Sequence, residues 1–473
     1  MSLTASLNMA IAGLTLQSKR AAVLSSNVAS ADVPGYARRE LSSDGTVRSV
    51  GVVRGIDLGL QQMRRDASSD TAKASVAQGF AANLDELIGD PDQTGSLQSL
   101  LAKLDAAMTV AASDPTAPTT LIAAADAAAN LVDGITGLAE SVTQARQKAE
   151  DDIASTVAQL NSDLSQVAHL NVDIRRMEAL GQDPSDLEDR RAVLVDHIAE
   201  TVPVRQMQRD NGAIALISKG GVILVDSSAA EVDFTARPAI EPGFTYPADL
   251  SGLSVKGLDL GTGQPGDGLA GGTLGALFTL RDEAAPQAMA RLDAFAQDLA
   301  TRFQEATTDP SLAAGEPGLF TDAGATVGAA PVPGLAGRLS LNDLIATDGP
   351  ERLRQGLGSN PGEPVTSNAQ LLRFSDAMAA RRVPASAVLG DAPTDLSGLG
   401  GRLRSAIALE RLRADDAVES TRVATDRLVA LRDGAAVDID TEMQRLLQVE
   451  QAYAANARLI QAVGQMMDRI TEI

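Results

Sequence analysis

The chain has 473 residues, of which 44% are hydrophobic, so it is long enough for several domains and a large buried core. With eight Phe, three Tyr and no Trp, packing must depend on Ala, Leu, Val and Ile, a composition that favours long helices. The formal net charge of −22 repels nucleic acid and anionic lipid. The absence of Cys excludes disulfides, thiol nucleophiles and thiolate metal sites.

No membrane-targeting signal is predicted from the sequence. Residues 1–13 have no leading Lys or Arg and are interrupted by Ser, Thr and Asn, so a secretory signal peptide is not indicated. Elsewhere, charged residues interrupt the apolar stretches before they reach the ~18 residues that a bilayer span requires. We therefore expect neither a membrane nor nucleic acid among the partners.

A heptad pattern begins close to the start of the sequence and predicts a helix that packs lengthwise over residues 3–30. Its members alternate four and three residues apart, and Gln17 is the polar interruption. Pro34 and Gly35 favour a turn after this helix, and the β-branched residues of 39–60 predict one or two short strands. The apolar members of the pattern are Leu3, Leu7, Ala10, Leu14, Ala21, Leu24 and Val28.

A second heptad pattern runs to the other end of the chain. A helix is predicted over 399–431, Gly434 interrupts it, and the acidic residues at 438–442 indicate the start of another helix. Both ends of the chain therefore carry helices that could pair, either within one chain or between chains. The members of this second repeat are Val449, Ala452, Asn456, Leu459, Val463, Met466 and Ile470.

The middle of the sequence predicts a rod with a β-rich insertion. An apolar 4,3 alternation over 121–177 predicts a helix of roughly 85 Å at 1.5 Å per residue. From residue 202 the pattern changes to short strands, and Asn211-Gly212 indicates a hairpin. The predicted fold is α+β, elongated and mainly α, with long terminal coiled-coil helices and an inserted small β-domain.

These elements divide the chain into five predicted segments, whose two ends combine into one inner domain. The segments are 1–60, the N-terminal part of the inner domain; 61–200, a long-helix rod; 201–272, an inserted β-rich domain; 273–395, a return to the rod with a helix and short strands; and 396–473, helices that complete the rod and the inner domain.

The sequence gives no positive evidence for catalysis or for a cofactor. The glycines of 261–266 match the dinucleotide pattern G-x-G-x-x-G. Pro265 and the glycines that follow prevent a helix from beginning there, so no helix N-terminus faces a pyrophosphate. We interpret this segment as a linker, and we expect neither an enzyme nor a cofactor-binding protein.

A metal site is not predicted either. His169 and His197 lack a second His at ligand spacing. Asp438, Asp440 and Glu442 alternate as in a calcium loop, but the Gly and the distant Glu of that loop are missing. Helix capping explains these three carboxylates better.

Residues near both ends resemble two signatures of the axial proteins of the bacterial flagellum, which comprise rod, hook and hook-associated proteins. Residues 26–38 are similar to A-N-N-I-A-N-x-N-T-P-G-Y-x-R, although three positions depart from it. Residues 437–443 and 451–461 are similar to V-x-L-D-E-E and Q-x-Y-x-A-N-A-x-x-I-Q, and the second of these includes Tyr453. The matching residues of the N-terminal signature are Asn27, Pro34, Gly35, Tyr36 and Arg38.

The middle of the chain indicates which branch of that family is closest. The long helix, Glu188-Asp189-Arg190-Arg191 and the segment 271–277 look like the hook-associated branch that forms the hook–filament junction. The resemblance implies a structural subunit outside the cell, exported without a cleaved signal peptide through the flagellar type III apparatus. It also implies that the terminal helices order as coiled coils on polymerisation.

The resemblance implies a specific set of partners. These are further copies in a helical array, the hook protein, a second hook–filament junction protein, and the filament side, either flagellin or its cap. A small export chaperone would bind the C-terminal helix on the face of Val449, Leu459, Val463, Met466 and Ile470. Two alternatives remain open at this stage: a hook or rod subunit, and an intracellular coiled-coil scaffold.

Overall fold

The computed structural model describes residues 3–33, 35–43, 50–261, 267–360, 366–434 and 437–471. Long helices occupy both ends and the middle of the chain, whereas the strands form small sheets of two or three members. This confirms the predicted fold class, which is mainly α with small β elements.

The helices are close to the predicted ones, and the chain is helical from residue 58, where the sequence analysis still expected extended structure. A π-helical turn at Leu280–Ala284 and a 3-10 turn at Ala387–Leu389 complete the helical elements. In chain order the helices are α1 (Leu3–Ala29), α2 (Leu58–Ile88), α3 (Leu97–Ser113), α4 (Pro118–Ala179), α5 (Ser185–Thr201), α6 (Gly272–Thr279), α7 (Ala285–Gln304), α8 (Leu335–Arg338), α9 (Leu344–Thr347), α10 (Arg352–Gln355), α11 (Ala369–Ala379), α12 (Leu396–Gly434) and α13 (Ile439–Thr471).

The strands pair antiparallel in four small sheets, β1-β2, β3-β4-β5, β6-β7-β8 and β9-β10. The predicted hairpin at Asn211-Gly212 is confirmed, and both residues adopt the positive φ angles (56° and 68°) that this tight turn requires. The strands are β1 (Arg39–Ser43), β2 (Val50–Arg54), β3 (Val204–Gln208), β4 (Ile214–Ser218), β5 (Ile223–Val225), β6 (Val232–Asp233), β7 (Leu253–Val255), β8 (Leu258–Gly261), β9 (Phe320–Asp322) and β10 (Leu339–Leu341).

The two ends of the chain pack against each other, because α1 and α13 lie lengthwise as one helix pair, which we call the terminal pair. The helices approach closely at Gly13, where an added Cβ would lie 2.9 Å from Nδ2 of Asn456. A residue without a side chain at this position therefore allows the close contact.

A second helix pair, α2 with α12, connects the terminal pair to the body of the protein. Its contacts include a 3.0 Å hydroxyl pair between Thr71 and Thr425 and a 2.9 Å hydrogen bond from Gln78 Nε2 to Asp415 Oδ1. The buried residues of α12 all lie in its first third, between Leu396 and Ile407. The rest of α12 therefore leaves the core and leads towards α13.

The first hydrophobic core lies among α3, the first half of α4, α7, α11 and the start of α12. Phe303 is its aromatic centre, with ring centroids 5.0 Å from Phe320 and 5.5 Å from Phe374. Since the chain has only eight Phe, this concentration leaves aliphatic residues to fill most of the remaining core.

The second hydrophobic core joins the second half of α4 to α5, α6 and the sheets β3-β4-β5 and β6-β7-β8. Asn171 of α4 fixes β4 by donating to Ile214 O at 2.8 Å, and Asn161 donates to Val232 O of β6 at 2.8 Å. These strands therefore share a core with the long helix. The predicted domain boundaries stay predictions.

The predicted long helix is confirmed as α4, which has 62 residues and spans about 93 Å. By length and composition alone it could cross a membrane, since one 18-residue window has a mean hydropathy of 1.3, with 39% of that window buried. The helix is about three times longer than a ~30 Å hydrocarbon layer. Its apolar side chains from Leu121 to Val167 pack in the two cores. We therefore interpret α4 as a core helix.

Buried arginines hold irregular segments against this helix. Arg146 is 4% exposed and donates to Arg281 O at 2.8 Å and to Phe244 O at 2.6 Å. Arg281 and Glu150, both fully buried, form a 2.6 Å ion pair beside it. Burial lowers the pKa of Arg146 despite the nearby carboxylate of Asp282. The segment around Phe244 is thus fixed by charge-assisted hydrogen bonds.

We expect Arg146→Met to lower the free energy of unfolding by about 3 kcal/mol, because it leaves several backbone carbonyls without donors. Lys148→Met is the matched control: Lys148 lies on the same helix, and its pair with Asp152 is largely exposed. That control should change stability by less than about 0.5 kcal/mol. Urea unfolding of both variants measures the difference, and equal effects would contradict this role of Arg146.

Candidate assembly site

Asn27, in the last turn of α1, is fully buried and uses both ends of its amide. Its Oδ1 accepts hydrogen bonds from Tyr36 Oη at 2.8 Å and from Arg39 N at 2.9 Å. Its Nδ2 donates to Arg39 O at 3.0 Å and to Glu442 Oε2 at 3.1 Å. The Asn27 amide therefore closes the turn that follows α1 and also holds a carboxylate from the far end of the chain.

Glu442, in the first turn of α13, has a side chain that is only 1% exposed. Its Oε1 accepts from Arg38 Nε at 2.9 Å and from Arg445 Nη1 at 3.0 Å. Burial opposes ionisation, but the hydrogen bonds from Asn27 and Arg38 outweigh it and lower the pKa of Glu442. We call Asn27, Tyr36, Arg38, Arg39 and Glu442 the junction cluster.

The junction cluster is tied to the body of the protein through Asp189 of α5. This carboxylate accepts from Arg54 Nη2 at 2.6 Å and from Arg39 Nη2 at 3.3 Å. The Arg39 guanidinium also lies 4.8 Å from the ring centroid of Tyr36. The terminal pair, the β1-β2 hairpin and α5 are thus joined by a continuous network of charged hydrogen bonds.

The residues predicted on α1 face inwards in the described structure. Ala10 is buried (4% exposed), while the side chain of Leu3 lies outside the described residues. The inward stripe therefore runs the length of the described helix. Its half-buried members are Leu7, Leu14, Ala21, Leu24 and Val28.

On α13 the stripe that contacts α1 differs from the predicted repeat. Val449, Ala452 and Asn456 are half-buried and Val463 is buried. Positions 456, 460 and 463 share one helix face, so Ile460 rather than Leu459 points towards α1. The repeat members Leu459 and Met466 are 47% and 51% exposed, and the signature residue Tyr453 is 47% exposed. The side chain of Ile470 lies outside the described residues.

The motif residues near α1 meet as a group, apart from Pro34, which lies outside the described residues. Asn27, Tyr36 and Arg38 belong to the junction cluster. Gly35 has φ +81°, and a Cβ on it would lie 2.4 Å from Val193 Cγ2 of α5. Glycine is required there both by the backbone conformation and by the close approach.

Sequence reasoning missed the structural role of Glu442 and Asp189. From the sequence, Glu442 is interpreted as a helix cap and as part of the C-terminal signature, and Asp189 as part of the resemblance to the hook-associated branch. The sequence feature that could have indicated this role is that each carboxylate lies inside a signature or motif segment. Their burial beside Arg38, Arg39 and Arg54 could not be read from spacing, because 415 residues separate Asn27 from Glu442.

The remaining candidate sites have structural explanations where they are described. Asp438 Oδ1 accepts from Asp440 N at 3.1 Å and Thr441 Oγ1 donates to Oδ2, which lowers the pKa of Asp438, as expected for a helix cap. His197 Nδ1 lies 2.6 Å from Asp163 Oδ2. Within the described ranges, no group of three or more His, Cys, Asp or Glu could hold a metal ion. Residues 262–266 of the glycine segment lie outside the described residues.

Comparison with known proteins identifies the family. The model of the flagellar hook-associated protein FlgK helical domain matches residues 81–319, just over half of the chain. The model of the flagellar basal body rod FlgEFG protein C-terminal segment matches residues 433–473, which contain Glu442. This chain belongs to the flagellar hook-associated protein FlgK family.

Two relatives compared by sequence agree with this assignment. Flagellar hook-associated protein 1 of Salmonella typhimurium is 28% identical over 297 residues, which cover 59% of this chain and 52% of that protein. Flagellar hook-associated protein 1 of Bacillus subtilis is 22% identical over 518 residues, covering 97% and 96%. The chain thus spans about half the length of the Salmonella relative. The flagellar hook junction protein FlgK from Burkholderia pseudomallei has a TM-score of 0.43 at 22% identity, over 55% of this chain and 46% of that one.

Membership in the FlgK family makes this chain a structural, hook-associated component of the flagellum. The matched helical-domain model covers α3, α4 and α5, the region that the sequence analysis likened to the hook-associated branch. The second match covers α13. The recognition made from the two terminal signatures and the long helix is therefore confirmed.

Protonation of Glu442 should weaken the terminal pair. Its folded-state pKa lies below the unfolded value of 4.5, so its contribution to stability is complete above that pH and is lost as the pH falls through the folded pKa. We expect Glu442→Gln to lower the opening free energy of α1 and α13 at pH 7 by about 2 kcal/mol, measured by hydrogen exchange. The deficit should narrow as the pH falls below 4.5.

Glu450→Gln is the control for this measurement, because Glu450 is an exposed carboxylate on the same helix. The control should behave like the wild type across the pH range. A Glu442→Gln deficit that stays constant from neutral to acidic pH would contradict an ionised Glu442 in the junction cluster.

Proposed function

We propose that this protein is the adaptor that joins the hook to the filament and that it enters the flagellum through its terminal pair. The observation that carries the proposal is the number of large apolar side chains that the pair leaves 41–57% exposed. Exposed apolar side chains concentrated on one helix pair indicate an interaction site. These side chains are Met9, Ile11, Ile439, Met443, Leu447, Tyr453, Leu459, Met466 and Met467.

The charge of the terminal pair supports the same proposal. α1 contains Lys19 and Arg20 and no carboxylate, and α13 has four carboxylates and three arginines. The pair is thus nearly neutral in a chain of net charge −22. Copies can approach each other through this surface with far less repulsion than through the rest of the molecule. A head-to-tail contact of this kind builds an open helical array.

The remaining parts would form the outer layers of that array. The rod built on α2, α4 and α12 would continue outwards from the junction cluster, and the β-rich segment would make the lateral contacts. The neighbours we propose are the hook protein, a second junction protein, and the filament side, all outside the cell after type III export.

The C-terminal helix is also the contact we propose for a small export chaperone. Val449 and Val463 pack towards α1 within the single chain. A chaperone that covers these two residues together with Leu459 and Met466 therefore requires α13 to separate from α1. Chaperone binding and closure of the terminal pair would then exclude each other, which would keep the subunit unassembled before export.

The free subunit should lose its ends first under limited proteolysis. Within the described part of the chain, α1 and α13 contribute to neither hydrophobic core, so the terminal pair can open without disturbing α4 or α7. We expect rapid cleavage in α1 and α13 and a resistant middle, read by intact mass. Ends as resistant as the middle would favour a self-contained scaffold.

The double substitution Leu459→Asp plus Met466→Asp tests assembly. Both side chains are exposed, so the subunit should fold, whereas Val463 is avoided because it is buried. Because the same two side chains belong to the proposed chaperone contact, the purified variant is added to isolated hooks so that export is bypassed, and we expect it to fail to incorporate at the end of the hook. Leu180→Asp, at a 67% exposed position after α4, is the control and should assemble.

Imaging of labelled subunits on flagella distinguishes the outcomes. Wild-type subunits confined to the distal end of the hook agree with an adaptor, whereas subunits along the hook or rod indicate the alternative axial role. Filaments that attach normally in the double variant would contradict assembly through this face.

A further inference from the structure

A cleft of about 400 Å³ lies at the base of the terminal pair, between α1, β1 and α13. Its lining contains four arginines, and Glu40 is the one carboxylate among the described lining residues. The arginines are Arg20, Arg38, Arg39 and Arg445. The side chains that line the cleft therefore carry a positive net charge in a chain whose net charge is −22.

Carboxylates already pair with three of these arginines: Arg38 with Glu40 and Glu442, Arg39 with Asp186 and Asp189, and Arg445 with Glu442. Glu442 is shared between Arg38 and Arg445, whose Nε and Nη1 atoms lie 2.9 Å and 3.0 Å from its Oε1. Arg20 is exposed, and none of the carboxylates in the described parts of the chain lies within ion-pair distance of it. A cation without a counter-ion at the edge of a basic cleft attracts a carboxylate from another molecule.

Gln17 has a hydrogen-bond acceptor in this cleft that is not satisfied within the described chain. It is the polar interruption of the α1 heptad, and its side chain lines the same cleft. Its Oε1 is buried and has no hydrogen-bond partner. A buried acceptor without a donor is costly, so an incoming chain that offers an N–H group would be favoured at this position.

We propose that this cleft receives an acidic segment of a second copy of the chain, with carboxylates on Arg20 and Arg445 and an N–H on Gln17. A second copy is favoured because 62 of the 473 residues are Asp or Glu, so a neighbouring molecule brings the complementary charge. The inference deepens the proposed function, since it rests on assembly through the terminal pair and adds a polar contact beside the apolar face.

Sedimentation velocity of the full chain over a concentration series, at about 0.05 M and about 0.5 M NaCl, tests the proposal. We expect self-association at low salt that weakens at high salt. Arg20→Glu should weaken it about tenfold. Lys19→Glu is the matched control, because Lys19 is the exposed neighbour on the same helix but does not line the cleft.

Gln17→Leu separates a contact between copies from a purely internal role. Leu removes the buried acceptor that has no donor, so the terminal pair of the free chain should become more stable to hydrogen exchange. Self-association should nevertheless weaken, because the incoming N–H loses its acceptor. A variant that associates as strongly as the wild type would contradict the role of Gln17.

Three results would overturn the proposal: a wild-type chain that stays monomeric at both salts, self-association that salt does not change, and equal effects of Arg20→Glu and Lys19→Glu. The proposed function is judged separately, by incorporation of the Leu459→Asp plus Met466→Asp variant. If that variant fails to incorporate while Arg20→Glu associates normally, assembly through the apolar face stands and the acidic contact does not.

Discussion

The buried amide of Asn27 is the interaction on which the terminal region depends. Its two hydrogen-bonding ends satisfy the turn after α1 and the carboxylate of Glu442, which comes from 415 residues away. A buried amide and a buried carboxylate tolerate few alternative partners, because each loses its hydration and needs a specific donor or acceptor. The junction cluster therefore fixes how α13 meets α1, whereas the repeated apolar side chains between the helices would allow several registers.

The scarcity of aromatic residues constrains how the rest of the molecule is held together. Its irregular segments are fixed by buried arginines that donate hydrogen bonds to backbone carbonyls. Arg146 fixes the segment at Phe244, and the fully buried Arg302 donates to Ala380 O at 2.6 Å and to Thr394 O at 3.0 Å. A guanidinium has five donors in a rigid plane, so one side chain can satisfy several carbonyls at once. Long Ala-rich helices can therefore carry ordered coil on their surface without a large aromatic core.

Periodicity predicted most of the fold because it records which residues must be buried along one element. The long helix α4 and the two terminal helices are predicted in this way, whereas the hairpin at Asn211 is predicted from the Asn-Gly turn between two apolar runs. Two features could not be predicted. The stripe on α13 passes through Ile460 rather than Leu459, because the partner surface of α1 decides which of two neighbouring apolar residues turns inwards. The pairing of Glu442 with Asn27 depends on tertiary packing, which no spacing encodes.

Leu459 and Met466 belong to the predicted heptad repeat of α13 but are exposed in the structure. A heptad repeat that is used entirely within one chain would leave its members buried, whereas here two members remain on the surface of a nearly neutral helix pair. The simplest physical account is that α13 has two contact faces. One face closes on α1 and is oriented by Glu442, and in the proposed assembly the other face contacts a neighbouring molecule. In such a subunit the two terminal helices already have a defined relative orientation. Burial of the apolar side chains that remain exposed still favours assembly.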